Sequence, residues 1–241
     1  MAFTAERLND LMDAIAARGM DIDIEKGFEF RLHKVYPEAP RSPIKFNLAD
    51  NKTRKDGRMF EEDLTLMGEV LDDYALHHGL DDSVVTGIPN VGHKIAVSMQ
   101  RSVRHQMGKH IPLLPLTKVE TAGGASEIAR VETTKEMLKE CPRGSVVLPI
   151  DDVLTHATIG QSAVHRVRQA GYIVKQFLTV LTYGFDGASR LQSLGVEPHN
   201  IFLVRQVVVR AKEKGFVAAD ELDAVRRFLQ DMNVFLQRKA A

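Results

Sequence analysis

The sequence predicts an α/β fold in which a central, mainly parallel sheet is flanked by helices and carries a small N-terminal hood. Two observations support this prediction. Between residues 83 and 181, short apolar runs alternate with segments of helical periodicity, which is typical of a parallel sheet. Before them, residues 28–36 alternate apolar and polar side chains and are followed by a second short apolar run, which indicates a separate strand pair.

The N-terminal part predicts two helices around that strand pair. Residues 4–18 place apolar side chains on one face and end at Gly19, so we expect a first helix there. Residues 28–36 read as a half-buried strand and 44–48 as the strand that returns beside it. A charged loop then leads to an amphipathic helix over 59–78.

The remaining elements follow the alternation of the core. Strands are predicted over 83–88, 111–116, 145–150 and 173–181. Helices are predicted near 92–107, 132–140 and 158–170. A short strand from Asn200 leads into a helix that ends at Lys214, and Asp220 begins the last helix. Pro149 should stand at a strand end or a bulge, because proline removes a ladder donor.

Composition describes a globular chain of ordinary charge. With 241 residues, of which 44% are hydrophobic, the chain can bury one large core. Basic and acidic residues both number 32, so no bulk charge points to nucleic acid or to a membrane surface. The single cysteine, Cys141, excludes an intramolecular disulfide and fits a reducing compartment. We therefore expect a cytoplasmic protein without a secretory signal or a membrane span.

The stretch 145–158 carries the strongest functional signal. An apolar strand leads into Asp151 and Asp152, whose carboxylates can accept hydrogen bonds from the vicinal hydroxyls of a ribose. Thr155, Thr158 and the free amides of the following helix can hold a phosphate dianion. The alternative is an ordinary strand–turn–helix with solvated acids. Two acids directly after a buried strand are costly without a partner, and this favours the site.

Two residues inside the turn leave questions open. His156 either donates a hydrogen bond to the phosphate or points to solvent, and the sequence does not separate the two. Ala157 adds a methyl group where backbone would approach the phosphate, and a helical φ would tolerate it.

The same stretch resembles the phosphoribosyl pyrophosphate motif of the type I phosphoribosyltransferases, and the chain as a whole is most similar to the orotate phosphoribosyltransferases. Residues 41–47 resemble the family's Ser-Pro-aromatic-aromatic-Asn segment in the hood over the base. Residues 86–92 resemble its pyrophosphate loop. Residues 178–195 and 199–229 resemble its closing strand and terminal helices.

The resemblance implies transfer of phosphoribose from 5-phosphoribosyl 1-pyrophosphate to a nitrogenous base. It implies one domain, with a hood at 1–58 and a core and cap at 59–241. It also implies a homodimer in which the loop 118–130 closes over the partner's cleft, and Mg²⁺ that Asp151 and Asp152 reach through water. The implied site residues are Lys118, Asp151 and Asp152 for catalysis, and Arg41, Phe46, Gly87, Asn90, His93, Lys94, Asp151, Asp152, Thr155, His156, Ala157 and Thr158 for substrate.

Departures from the family pattern keep two alternatives open. The pyrophosphate loop reads Asn90-Val91-Gly92 where the family has Tyr-Lys-Gly, and the flexible loop offers Lys118 followed by a neutral stretch with Gly123-Gly124. One alternative is a non-catalytic sensor that binds phosphoribosyl pyrophosphate or a nucleotide. The other is a phosphoribosyltransferase for another base, since the sequence does not name the base.

Overall fold

The computed structural model describes residues 4–48, 61–80, 83–120, 126–132 and 134–240. The strands, in chain order, are β1 (Met20–Ile22), β2 (Ile44–Phe46), β3 (Val85–Gly87), β4 (Leu116–Glu120), β5 (Ser126–Val131), β6 (Leu148–Leu154), β7 (Gln176–Thr182) and β8 (Glu197–Leu203). The α-helices are α1 (Ala5–Ala14), α2 (Glu61–His78), α3 (Val91–Met107), α4 (Lys135–Glu140), α5 (Thr158–Gln169), α6 (Gly187–Gln192), α7 (Val204–Glu213) and α8 (Ala219–Ala240).

The predicted central parallel sheet is confirmed. Its strands lie in the order β3-β6-β7-β8, and every neighbouring pair is parallel. The strand predicted over 111–116 contributes only a single parallel bridge, from Leu113 to Val85. The two prolines in that run, Pro112 and Pro115, cannot donate to a ladder. From Leu116 the chain instead forms β4, which pairs with β5 as an antiparallel hairpin.

The strand predicted over 145–150 lies further along the chain than expected. It is β6, so Asp151 and Asp152 stand inside the strand rather than after it. β3 pairs with β6 only as far as Ile150, whereas β7 continues to pair with it up to Leu154. The two acids therefore lie where one neighbouring strand has already ended, at the stepped carboxyl edge of the sheet.

Pro149 lies at an irregularity of this strand, as predicted. Val146 pairs with Ile173 and Ile150 pairs with Leu178. Four residue positions along the segment that contains β6 therefore lie opposite five along the segment that contains β7. Such a mismatch is the kind of position at which a sheet accepts proline, because the ladder is already interrupted there.

The prediction of a strand over 28–36 is wrong. Phe28 makes one bridge to Ser42, and the chain then forms a 3₁₀ turn over Arg31–Lys34. The ring of His33 bonds at one nitrogen to the Phe30 amide (2.9 Å) and lies with the other 3.1 Å from the Ala39 carbonyl. These local bonds satisfy backbone groups that a strand would have paired elsewhere. β2 pairs instead with β1, and the predicted charged loop 51–58 lies outside the described residues.

The sheet is covered on both faces. One apolar cluster joins the sheet to α1, α2, α3, α7 and α8, and the other joins it to α5, α6 and the β4–β5 hairpin. α2 and α3 approach closely, since a Cβ on Gly68 would lie 2.4 Å from the Ser98 carbonyl carbon. Within the described ranges, no helix is both long and apolar enough to cross a membrane.

Candidate active site

The carboxyl edge of the sheet gathers most of the predicted site residues. Because β3, β6 and β7 are parallel, their carboxyl ends lie on the same edge, and each is followed by a turn and a helix. We call these connections the β3–α3 turn (88–90), the β6–α5 turn (155–157) and the β7–α6 turn (183–186). The side chains of the three turns, together with the acids of β6, form the candidate site.

Asp151 and Asp152 lie between the first two turns. Both are partly buried. Asp151 Oδ1 accepts a hydrogen bond from the Asp152 amide (3.0 Å), and Asp152 Oδ1 accepts one from the Val153 amide (2.9 Å). Burial raises the pKa of Asp152 above its ordinary value, against the hydrogen bonds that it accepts. An acid held in this costly state is more typical of a ligand site than of a structural turn.

The β3–α3 turn packs its backbone directly against these acids. A Cβ on Gly92 would lie 2.6 Å from the Ile150 carbonyl oxygen and 3.2 Å from Asp151 Oδ1, so only glycine fits. A Cβ on Gly87 would lie 2.3 Å from the Cα of His93. Asn90, just before α3, has a φ of 88°. The structure thus places Gly92 against Asp151 and Gly87 against His93, with Asn90 in the same turn.

Lys94 lies on the first turn of α3 and is exposed to solvent. Its position after Gly92 puts a cation close in sequence to the β3–α3 turn. The family's pattern carries its basic residue inside the turn instead, so the cation that this part of the chain offers lies on α3.

The β6–α5 turn has the layout expected of a phosphate site. α5 begins at Thr158, whose side chain is exposed, and Thr155 is partly buried. The Ala157 carbonyl accepts the hydrogen bond of the Gln161 amide (2.7 Å), so the amides before Gln161 belong to the free first turn of the helix. These amides and the two hydroxyls are the groups that bind anions at a helix N-terminus.

Ala157 differs from the prediction that a helical φ would accommodate its methyl group. Its φ is 53° and its ψ 20°, the left-handed conformation, which costs a residue with a Cβ about 1–2 kcal/mol. The neighbouring turn helps to fix this geometry: the Gly187 amide donates to the Thr155 carbonyl (3.1 Å), and a Cβ on Gly187 would lie 2.3 Å from that oxygen. The strain therefore sits in the middle of the candidate phosphate turn.

His156 does not point to solvent, so that interpretation is wrong. Its side chain is buried, its Nδ1 lies 2.5 Å from Asp186 Oδ1, and its ring stacks on Phe185 with centroids 5.5 Å apart. Nε2 is shielded from solvent and has no hydrogen-bond partner among the described residues. Contact between His156 and a phosphate stays a prediction.

The hood meets the site through an aromatic cluster, which consists of Phe30, Phe46, Tyr183, Phe185 and Phe228. Phe46 is buried and meets Tyr183 edge-on at 6.1 Å, and the Tyr183 hydroxyl donates to the Ile44 carbonyl (3.1 Å). Burial raises the pKa of Tyr183, so it stays a neutral donor.

Arg41, also on the hood, is exposed and forms an ion pair with Glu29. The pair is open to solvent on both sides, so it constrains the guanidinium only weakly. Arg41 can therefore leave Glu29 for a ligand at small cost, whereas Phe46 is fixed by packing.

Lys118 lies on the β4–β5 hairpin, opposite Ile128 and next to a register shift. The hairpin is held on α5, because the Ile128 amide donates to Ser162 Oγ and its carbonyl accepts from Arg166 Nε, both at 2.9 Å. The hairpin that carries Lys118 is therefore hydrogen-bonded to α5, the helix that begins at the β6–α5 turn. The Gly123-Gly124 pair lies outside the described residues.

The sequence interpretation missed the β7–α6 turn. Tyr183, Phe185, Asp186 and Gly187 all contact the hood or the β6–α5 turn. A usable signal was present: residues 182–187 directly follow the predicted strand 173–181, as the acids and threonines follow the predicted strand 145–150. Side chains at neighbouring parallel strand ends are expected to meet.

Comparisons with known proteins agree with this geometry. No family model matches the chain. An orotate phosphoribosyltransferase from Nostoc sp. is 31% identical over 74 residues, which are 31% of this chain and 36% of that protein. The match therefore spans about a third of the length of this curated relative.

Several solved structures share the fold. A Leishmania donovani UMP synthase has a TM-score of 0.68 at 17% identity, over 95% of this chain and 43% of that one. A Corynebacterium diphtheriae phosphoribosyltransferase has a TM-score of 0.59 at 18% identity, over 84% of this chain and 99% of that one. A Mycobacterium tuberculosis orotate phosphoribosyltransferase in complex with 5-phospho-α-D-ribosyl 1-diphosphate has a TM-score of 0.53 at 14% identity, over 85% and 93%.

These likenesses confirm the resemblance that the motif indicated. The sequence match is local, and the structural match covers most of the chain at low identity. The chain has the phosphoribosyltransferase fold and resembles the orotate phosphoribosyltransferases.

Proposed function

We propose that the protein transfers phosphoribose from 5-phosphoribosyl 1-pyrophosphate to a nitrogenous base, as an orotate phosphoribosyltransferase does. The observation that carries the proposal is the partly buried pair Asp151 and Asp152 near the carboxyl end of β6, ahead of the turn that opens helix α5. In this arrangement the acids accept hydrogen bonds from the ribose hydroxyls. Thr155, His156, Ala157 and Thr158 surround the 5-phosphate, with the amides of α5 supplying most of the bonds.

The other site residues take the remaining parts of the substrates. Gly87, Asn90, His93 and Lys94 line the pyrophosphate side, where the tight backbone of the β3–α3 turn lies beside Asp151. On the base side, Phe46 and Arg41 belong to the hood. Phe46 offers a rigid apolar surface, and Arg41 a cation that can reorient.

The chemistry is a displacement at the anomeric carbon. A ring nitrogen of the base forms the new bond to this carbon while the bond to the pyrophosphate oxygen breaks and its electrons leave with the pyrophosphate. Negative charge grows on the leaving group, and positive character grows on the ribose. Lys118 and Lys94 stabilise the negative charge on the leaving group, and Asp151 and Asp152 stabilise the positive character of the ribose.

Mg²⁺ is the metal that fits this donor set. Carboxylates are hard oxygen ligands, and Mg²⁺ keeps waters and binds substrate phosphates rather than protein cages. Among the described residues, no three His, Cys, Asp or Glu side chains are placed to hold a metal by themselves. Asp151 and Asp152 would therefore reach the ion through its water shell. When bound, the ion neutralises charge on the pyrophosphate.

The same proposal includes the organisation of the chain. One domain would comprise the hood at 1–58 and the core and cap at 59–241, and the aromatic cluster that joins Phe30 and Phe46 to Tyr183 and Phe228 supports this. We propose further a cytoplasmic homodimer, in which the loop 118–130 of one subunit lies near the cleft of the other.

The test is magnesium-dependent release of pyrophosphate from 5-phosphoribosyl 1-pyrophosphate, screened against pyrimidines and purines. We expect release with orotate that disappears on chelation of the metal. Release with a different base only would identify a phosphoribosyltransferase for that base.

Binding without release for any base would favour a non-catalytic sensor. A specific observation supports this second candidate: the turn reads Asn90-Val91-Gly92, without the lysine that the family pattern has there, and Lys94 is exposed on α3. Absence of both binding and release would overturn both candidates.

A further inference from the structure

We propose that Asp186 is a positioning residue of the phosphate site, which holds His156 so that its Nε2 donates a hydrogen bond to the 5-phosphate. The inference rests on the proposed function and adds to it a residue from the β7–α6 turn, 30 residues away in sequence.

The contact between His156 and Asp186 fixes the protonation of the ring. Asp186 Oδ1 lies 2.5 Å from Nδ1, and its other oxygen accepts from Arg190 Nε at 2.6 Å. Burial opposes ionisation of Asp186, but the bonds from His156 and Arg190 outweigh it and hold its pKa below the ordinary value. An ionised carboxylate only accepts, so Nδ1 must carry a proton.

The orientation of the ring is fixed as well. His156 is only 5% exposed, and its plane lies 17° from that of Phe185. With Nδ1 held by Asp186 and one face held by Phe185, the ring cannot turn without breaking both contacts. Nε2 therefore keeps one direction, as a preorganised ligand group requires.

The state of Nε2 is what points to a ligand. It is buried and has no hydrogen-bond partner within the described parts of the chain, whereas buried polar atoms in native structures nearly always have one. The residues on either side of His156 in sequence belong to the turn that the proposed phosphate occupies. A phosphate oxygen would supply the missing partner, because it can accept a hydrogen bond that Nε2 donates.

Two substitutions separate this role from a merely structural one. In His156→Asn the amide stands near the position of Nδ1, so it keeps the bond to Asp186 and loses the donor at Nε2. In His156→Gln the amide reaches the position of Nε2 and loses the bond to Asp186. The exposed His165 on α5 provides a matched control, His165→Asn.

The measurement is calorimetric binding of ribose 5-phosphate, with pyrophosphate as the ligand that does not enter this turn. We expect His156→Asn to weaken ribose 5-phosphate binding roughly 10- to 100-fold, the loss of one hydrogen bond to a charged group, and to leave pyrophosphate binding unchanged. Both variants lose the stacking of the ring on Phe185. His156→Gln should keep more affinity for ribose 5-phosphate than His156→Asn and should lower Tm further, because it also loses the bond to Asp186.

Asp186→Ala completes the test. It should weaken ribose 5-phosphate binding, and the double variant Asp186→Ala with His156→Asn should bind no more weakly than His156→Asn alone, because both changes remove one unit. Equal affinity of wild type and His156→Asn for ribose 5-phosphate would overturn the inference and leave the proposed function standing. Failure of the wild type to bind ribose 5-phosphate would instead count against the proposed function itself.

Discussion

The β3–α3 turn and the β6–α5 turn have the same place in the fold and are built differently. Each follows a parallel strand and opens a long helix, α3 or α5. Each carries a residue with a Cβ at positive φ directly before its helix, Asn90 at 88° and Ala157 at 53°. In the part of the chain that the structure describes, these are the only two non-glycine residues with positive φ. Backbone strain thus collects at the two turns proposed to hold the substrate.

The difference lies in what holds each turn in place. The β3–α3 turn is fixed by backbone packed on backbone through Gly87 and Gly92, with its nearest cation, Lys94, out in solvent. The β6–α5 turn has one such backbone contact, from Gly187 to Thr155, and is held in addition by polar side chains, above all His156 on Asp186. The β3–α3 turn should therefore be disrupted by substitutions that add atoms, and the β6–α5 turn by substitutions that remove polar side chains.

The largest effect is expected at the acids between the two turns. Asp151→Asn combined with Asp152→Asn should weaken binding of 5-phosphoribosyl 1-pyrophosphate at least about 100-fold, since a hydrogen bond to a charged group contributes about 1.5–3 kcal/mol. The free energy of unfolding should hold or rise, because a desolvated charge is removed. Calorimetry and denaturant unfolding measure the two quantities, with the surface variant Asp223→Asn as control. Unchanged affinity would show that the acids only shape the strand end.

Lys118 tests whether a third region, the hairpin, reaches these turns from a second subunit. Lys118→Ala should lower kcat about 100-fold, the size typical for loss of one stabilising donor. Mixing Lys118→Ala subunits with subunits that carry both Asn substitutions should restore about one intact site per heterodimer. A monomer in solution, or a mixture as inactive as its parents, would contradict the shared site.

Adding a methyl group should break the β3–α3 turn. Gly92→Ala would place a Cβ 2.6 Å from the Ile150 carbonyl oxygen, so we expect a loss of about 1–3 kcal/mol in stability and weaker binding of pyrophosphate. Gly108→Ala is the control: its φ is 64°, but nothing lies within 4 Å of the added Cβ. The control should lose about 1–2 kcal/mol through its backbone alone and bind pyrophosphate normally. Equal behaviour of the two variants would remove the packing argument.

The raised pKa of Asp152 predicts that the stability of the protein depends on pH. Its pKa is raised in the folded protein, so the folded state prefers the protonated form, and stability is lost as pH rises from the unfolded value of about 3.9 through the folded one. Asp152→Asn should therefore be more stable than wild type at pH 7, by about 1.4 kcal/mol for each unit of the shift. The difference should vanish below about pH 3.9. Urea unfolding over this range measures it, and an equal difference at every pH would contradict the assignment.

The smallest effect is expected for Ala157→Gly in the β6–α5 turn. Glycine relieves about 1–2 kcal/mol of strain from the left-handed conformation. This gain offsets two losses of stability: the buried methyl group is removed, and glycine makes the unfolded chain more flexible. Ala170→Gly at the other end of α5, where φ is −76°, relieves no strain. Ala157→Gly should therefore be about 1 kcal/mol less destabilising than Ala170→Gly in denaturant unfolding. The reverse order would mean that the strain is not real.

The sequence was informative where short-range pattern decides the structure. The alternation after residue 83 predicts the parallel sheet, and Asp151, Asp152 and Thr155 identify the site because strand, acids and turn are contiguous. It failed over 28–36, where an alternating pattern was overridden by hydrogen bonds from the ring of His33. The pattern alone does not contain such local competition.

Contacts between residues far apart in the sequence could not be predicted either. The contact of His156 with Asp186 joins residues on different strand ends, and the left-handed φ of Ala157 accompanies the approach of Gly187 to Thr155. Both depend on how β6 and β7 lie side by side. Sequence periodicity fixes which residues are apolar, but not the register that brings these turns together.

The most direct test of the account is a crystal structure with 5-phosphoribosyl 1-pyrophosphate and Mg²⁺. The account predicts the 5-phosphate in the β6–α5 turn, bound by the first amides of α5. It predicts the ribose hydroxyls within about 2.7–3.2 Å of the carboxylates of Asp151 and Asp152. A ligand bound elsewhere in the cleft, with these acids and Thr155 and Thr158 free of it, would contradict the account.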